Sequence, residues 1–219
     1  MPLTPVMADL DAVRKAFGCK DRKLLKAVLA GSDLDDDDTD AEEYELEYDD
    51  DDDPDVPEEL PSSQDALRHI IMGEPWARGI GSKYGYAFLV LCQHLGKELD
   101  RTSWGTTSAE YDQAFDLVLA KLGVKADIIT VRWLSEGSRY FPLPESAEPV
   151  YGTMPTEKVA QAAAALAQVD RAALEAASQG VTISRGDVET EFVIACFDEL
   201  RKWCQITAAA GNGLIVFHY

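Results

Sequence analysis

The chain predicts an α+β fold, mostly helical, with a small β-sheet that includes the C-terminal strand. Capped helical segments with apolar residues three and four positions apart recur from end to end. Strand-like runs are few and short, at residues 3–8, 127–133 and 213–219. A hydrophobic content of 46% in 219 residues is enough to bury a real core. One domain over residues 1–219 is expected, carrying an acidic, flexible insert at about 32–61.

Each element has a local reason. Residues 3–8 read as a first strand, and residues 9–17 as a helix with Leu10, Val13, Ala16 and Phe17 on its apolar side. Asp21 is placed to cap a second helix carrying Leu24, Leu25, Val28 and Leu29, which Gly31 stops. Ser62 or Ser63 caps a third, with Leu67, Ile70 and Ile71, ended by Gly73 and Pro75. Residues 79–85 read as a loop. Residues 84–95 are apolar almost all round, which predicts a central buried helix closed by Gly96. Ser108 caps the next helix, with Tyr111, Phe115, Val118 and Leu119 on one face and Gly123 as the stop.

In the second half, Ile128, Ile129, Thr130, Val131 and Trp133 predict a strand over 127–133. Residues 141–151 read as a Pro-rich loop, and Pro155 suits the first turn of an Ala-rich helix through Val159, Ala163 and Leu166. Ser184 or Asp187 opens the longest helix, where Val188, Phe192, Cys196, Leu200 and Trp203 form one face. Gly211, Asn212 and Gly213 turn the chain into the apolar last strand, which an ordered sheet must tie down.

Charge is distributed unevenly. Residues 33–59 hold 18 Asp and Glu among 27 residues, with no Lys, Arg or His. The whole chain carries −20, so everything outside this segment sums to about −2. Adjacent like charges repel, and the segment offers little apolar area to offset the entropy of ordering. A solvated loop is the plain reading. Within it, Tyr44, Leu46 and Tyr48 alternate with glutamates at strand period, so Tyr44 and Tyr48 are candidate partner contacts. Asp49, Asp50, Asp51, Asp52 and Asp53 are the densest candidates for attracting a basic protein partner over a distance set by salt screening. The segment also offers a calcium register: Asp36, Asp38, Asp40, Glu42 and Glu47 fall at EF-hand positions 1, 3, 5, 7 and 12. Ala41 stands where that loop requires glycine, so these are weak metal candidates and no resident metal or other cofactor is expected.

Other chemistry is sparse, and nothing identifies an enzyme. The glycine-rich run at residues 79–85 has neither Walker nor dinucleotide spacing, since Tyr84 occupies the last glycine position. Arg78, Ser82, Lys83 and His94, with Arg101 beside them, are the candidates for a small polar or anionic ligand near the start of the buried helix. His94 lies two residues after Cys92, on a different helix face, so the two make a poor metal pair. His69 and His218 read as structural or surface residues, and Trp76, Trp104 and Tyr140 as loop aromatics. The spacings of Cys19, Cys92, Cys196 and Cys204 fit neither a zinc site nor a redox pair. Such cysteine usage, no apolar run of the ~18–20 residues that span a bilayer, and no secretory leader suggest a reducing, cytoplasmic setting away from membranes. Direct nucleic-acid binding is not expected, because no Lys/Arg cluster interleaved with aromatics stands out.

Three groups of residues carry a resemblance. Tyr84-Gly85-Tyr86-Ala87 with Leu91-Cys92 and His94-Leu95-Gly96 is the first. Tyr151-Gly152-Thr153-Met154 ahead of Glu157-Lys158-Val159 is the second, and the long helix leading to Gly213-Leu214-Ile215-Val216-Phe217 is the third. Over residues 62–219, and more faintly 3–30, the chain resembles a group of uncharacterised bacterial proteins, distantly like the YfbM-type family. The acidic insert departs from that pattern. The resemblance implies the same fold class and a bacterial cytoplasmic setting, and it implies no catalytic residues. The leading expectation is a non-enzymatic interaction module of immunity or antitoxin type that binds a basic partner. The alternatives are an enzyme or binding protein for a small polar or anionic ligand at residues 78–94, and a calcium-binding module.

Overall fold

The last strand organises the molecule. The computed structural model describes residues 3–32, 34, 61–77, 80–106, 109–131, 140–183 and 186–218. Strand β6 (Gly213–His218) is buried along its whole length and pairs antiparallel with β1 (Leu3–Ala8) on one side and β3 (Val150–Met154) on the other. A short β2 (Gly96–Glu98) adds to the outer edge of β1, giving the order β2-β1-β6-β3. A strand covered on both faces reads as a continuous apolar run, which is why Leu214 to Phe217 carry no polar residue.

Side chains alternate between two cores across this sheet. Ile215 and Phe217 face the layer built by α1 (Leu10–Ala16), α2 (Arg22–Ala30), α3 (Ser63–Met72) and α4 (Gly81–Leu95). Leu214 and Val216 face the layer built by α5 (Ala109–Lys121), α6 (Thr156–Ala167), α7 (Arg171–Ser178) and α8 (Thr190–Ala209). A two-residue-per-strand hairpin, β4 (Thr182–Ile183) and β5 (Gly186–Asp187), precedes α8. The expected α+β fold, mostly helical with a small sheet that includes the C-terminal strand, holds, and the sheet is antiparallel.

Several boundaries follow the expected chemistry. Asp9 and Asp21 cap α1 and α2 through their carboxylates, and Ser62 and Asp65 form a reciprocal capping box on α3. Gly73 ends α3 in the left-handed conformation that only glycine adopts freely.

Other boundaries differ, each for a nonlocal reason. Residues 81–85 are not a loop; α4 begins at Gly81. A Cβ on Gly81 would lie 1.9 Å from the Ser146 carbonyl oxygen, and one on Gly85 1.9 Å from that of Glu148. The four-residue spacing thus puts two glycines on the helix face that meets the 146–149 backbone. Residues 127–131 are not a strand: Ile128 and Ile129 turn back to the Lys125 carbonyl, while the Thr130 hydroxyl and Val131 N–H donate to Asp116. The Asp116 carboxylate there takes the place of a strand partner. The Pro-rich segment gives way at Val150 to β3, and Pro155 stands at the cap of α6, one residue before its first turn. The longest helix starts at Thr190, later than expected, because Gly186 and Asp187 pair in the hairpin. Helix α7, capped by Asp170, was not anticipated. Ser108, Trp133 and Ser184 lie outside the described residues.

Candidate functional site

Helix α4 carries most of the expected ligand residues but does not gather them. Ser82 and Lys83 lie in its first turn and His94 in its last. At 1.5 Å per residue, Ser82 and His94 are about 18 Å apart along the axis. Arg78 lies outside the described residues. Arg101 is committed elsewhere: it donates to the Leu3 carbonyl at 2.8 Å and to the Thr4 hydroxyl, pinning the connection after β2 to β1. Trp104 is a fully buried anchor, its indole N–H donating to the Cys196 carbonyl at 2.9 Å. The Glu199 carboxylate accepts the backbone N–H groups of Thr102, Ser103 and Trp104 and holds that turn in place.

The structure does assemble a cleft between α2 and α4, of about 590 Å³. Val28 is its buried apolar floor, while Tyr86 and Val90 project from α4, with Tyr86 45% exposed. Ser32, Leu34 and His94 also line it. Among the described residues, no Asp, Glu, Lys or Arg lines the cleft. The Gln64 side-chain amide donates to the Leu34 carbonyl at 2.9 Å and joins the end of α2 to the start of α3. Leu34, the last described residue ahead of Pro61, is thus part of this cleft. Tyr44, Tyr48 and Asp49 to Asp53 lie outside the described residues, as do Asp36, Asp38, Asp40 and Glu47. Among the described residues, no three or more His, Cys, Asp and Glu side chains converge as a metal site.

A second polar cluster joins α3 to α4. The Tyr84 hydroxyl accepts the Ala77 N–H at 2.8 Å, which leaves its proton for His69 Nδ1 at 2.6 Å. His69 Nε2 therefore carries the ring hydrogen and faces Glu74 at 3.6 Å. Trp76 stands edge-on to the Tyr84 ring, centroids 4.9 Å apart. The Glu–His–Tyr chain has the form of a relay, but Tyr84 is fully buried and out of reach of any substrate. It acts as a clasp. Sequence inspection misses it because the two residues stand 15 positions apart.

Burial lowers the His69 pKa, with Arg68 adding to the effect and Glu74 opposing it, and burial lowers that of His218 as well. The unfolded chain then binds more protons than the folded one below the ordinary histidine value of about 6.5. Stability is fully present above that pH and is lost as pH falls toward the lowered folded values. The melting temperature is expected to drop as pH goes from 7.5 to 5.5. His69→Gln keeps an acceptor for Tyr84 and removes one titration, so its melting curve should shift less. Parallel pH slopes would show that His69 does not titrate in this window.

The thiols divide sharply. Burial pushes Cys196 and Cys204 up to about 12 and Cys92 well above its ordinary value, whereas Cys19 is exposed. Since thiolate is the reactive form, one thiol per native chain should react with an aromatic disulfide reagent, and none in Cys19→Ser. Two fast-reacting thiols in the native protein would contradict the packing of α4 and α8.

The sequence profile of a domain of unknown function, DUF7691, matches residues 2–219. The chain belongs to the DUF7691 family. No curated protein and no solved structure matches it.

One feature of this DUF7691 chain escaped the sequence reading. Arg14, Lys15, Lys20, Arg22, Lys23 and Lys26 fall within 13 residues against a single acid, Asp21, and all six are exposed. The one aromatic among them, Phe17, packs inward on Phe88 and Phe141. Arg14 lies over the half-buried Tyr140 ring, 4.2 Å from its centroid, and donates to the Tyr140 carbonyl at 2.9 Å. Among the described residues, no helix is long and apolar enough to cross a membrane.

Proposed function

We propose that this DUF7691 chain is a non-enzymatic interaction module, of immunity or antitoxin type, that takes a basic protein partner in a bacterial cytoplasm. A distant kinship to YfbM-type proteins belongs to the same reading. The observation that carries it is the confinement of 18 carboxylates to the segment between α2 and α3, in a chain otherwise near neutrality. Such a field accelerates encounter with a cationic surface, while short-range contacts govern release. The test starts with the protein that co-purifies at low salt and dissociates at high salt. Converting Asp49, Asp50, Asp51, Asp52 and Asp53 to Asn should slow association and leave dissociation unchanged. The difference should shrink as the screening length falls from ~10 Å at 0.1 M salt to ~3 Å at 1 M. Unchanged association at low salt would reduce the segment to a solubility device.

A further inference from the structure

We propose that residues 74–77 form a proton-operated strap over Tyr84, closed while the His69 ring is neutral and released at its Ala77 end when that ring takes up a proton. Helix α3 ends at Gly73, and the chain then crosses toward α4 as irregular backbone, with Glu74, Pro75 and Trp76 exposed. Beneath it, Tyr84 is fully buried and His69 nearly so. The strap is fixed at both ends. At its start, the Glu74 N–H donates to the His69 carbonyl at 3.1 Å, and the Glu74 carboxylate meets Arg68 Nε at 3.3 Å. Its far end rests on Tyr84, whose hydroxyl accepts the Ala77 N–H and whose ring packs edge-to-face with Trp76. An exposed segment tied down by side chains belongs to the low-stability parts of a fold, which open locally.

The proton enters the middle of this chain of donors. In the neutral ring, Nδ1 accepts from the Tyr84 hydroxyl, which leaves the hydroxyl oxygen for Ala77. A proton from solvent puts hydrogen on both ring nitrogens. Nδ1 then donates, and the Tyr84 hydrogen loses its acceptor inside the fold. A buried donor without an acceptor is costly, and release of Ala77 lets water supply one. Nε2 faces the exposed Glu74 carboxylate at 3.6 Å, so the start of the strap tightens as its far end lets go. Burial holds the closed ring neutral by lowering its pKa; Glu74 opposes this, Arg68 adds to it and Asp65 opposes it, while α4 faces the ring with Tyr84. Opening therefore gains a proton as pH falls below the ordinary histidine value of about 6.5.

Hydrogen exchange of the Ala77 amide, followed by NMR between pH 7.5 and 5.0, tests this, each rate being divided by the intrinsic rate at that pH. Protection should fall about tenfold, an ordinary size for coupling between a ligand and a conformational change. The fall should be the same in 1 M urea, because so short a strap exposes little surface when it opens. His69→Gln keeps an acceptor for the Tyr84 hydroxyl and cannot titrate, so its Ala77 protection should stay flat across this range. Glu74→Gln withdraws a charge that favours the proton, so opening should move to lower pH; this exposed position covers the case where His69→Gln folds poorly. Ala77 protection that does not change with pH overturns the strap. So does a fall that survives in His69→Gln, or an opening midpoint that Glu74→Gln leaves in place. Ala77 exchange that urea accelerates as much as it does for amides of α8 is global unfolding, and it overturns the strap as well.

Discussion

Gly85→Ala is expected to destabilise the protein by about 3 kcal/mol, the upper part of the range for overpacking. Two effects oppose each other. Alanine gains up to ~1 kcal/mol over glycine inside a helix. Against this, the new methyl would stand 1.9 Å from the Glu148 carbonyl oxygen and 2.6 Å from the Pro149 nitrogen, both backbone atoms. Backbone held by β3 and by the Glu148 N–H donating to Gly81 cannot yield as the tip of a flexible side chain would. The clash wins, and the melting temperature should fall by roughly 6–12 °C, at 2–4 °C per kcal/mol for a chain of this size. Gly31→Ala is the control: its Cβ would meet nothing closer than 3.6 Å, so its melting curve should barely move. A Gly85→Ala protein as stable as the parent would show that α4 does not sit on the 146–149 segment.

Trp203→Ala has the other large effect, an expected loss of ~3–5 kcal/mol in urea denaturation. Trp203 is fully buried on α8, its indole N–H donates to the Asp100 carbonyl at 2.8 Å, and its ring lies 6.4 Å from that of Trp104. Asp100 is exposed, so water can replace the lost hydrogen bond at its carbonyl. The cavity is the larger cost. Against a usual total of 5–15 kcal/mol, the variant approaches the limit of folding. Trp203→Phe refills much of the space and should lose less than half as much. Equal losses would point to the hydrogen bond instead of the volume.

The residues under these predictions differ in how visible they were beforehand. Trp203 was legible because Cys196, Leu200 and Trp203 recur at helical spacing, and burial follows from that stripe. Gly81 and Gly85 suggested a flexible turn, since glycine is read as a breaker when no partner is in view. The partner is a carbonyl row more than 60 residues away, where a missing Cβ is what lets two backbones touch. The expected ligand set failed to gather for a related reason: Ser82 and His94 are near in sequence but sit at opposite ends of one rigid helix.

What the amino-acid sequence alone determined is local. Asp21 and Ser62 start helices because a side-chain oxygen reaches an N–H two or three residues on, and Gly73 stops one because it tolerates a positive φ. The isolation of negative charge between α2 and α3 is likewise a property of the chain order. The tertiary structure decided everything that depends on which distant groups meet. It made 150–154 a strand by giving it β6, and it denied 127–131 that state by giving its polar groups Asp116 instead. It also turned His69 and Tyr84 into a clasp and set Tyr86 across from Val28 to open a cleft beside Leu34. Interactions within about four residues are written in the order of side chains. Those across the sheet and between the helical layers depend on packing that chain order does not specify.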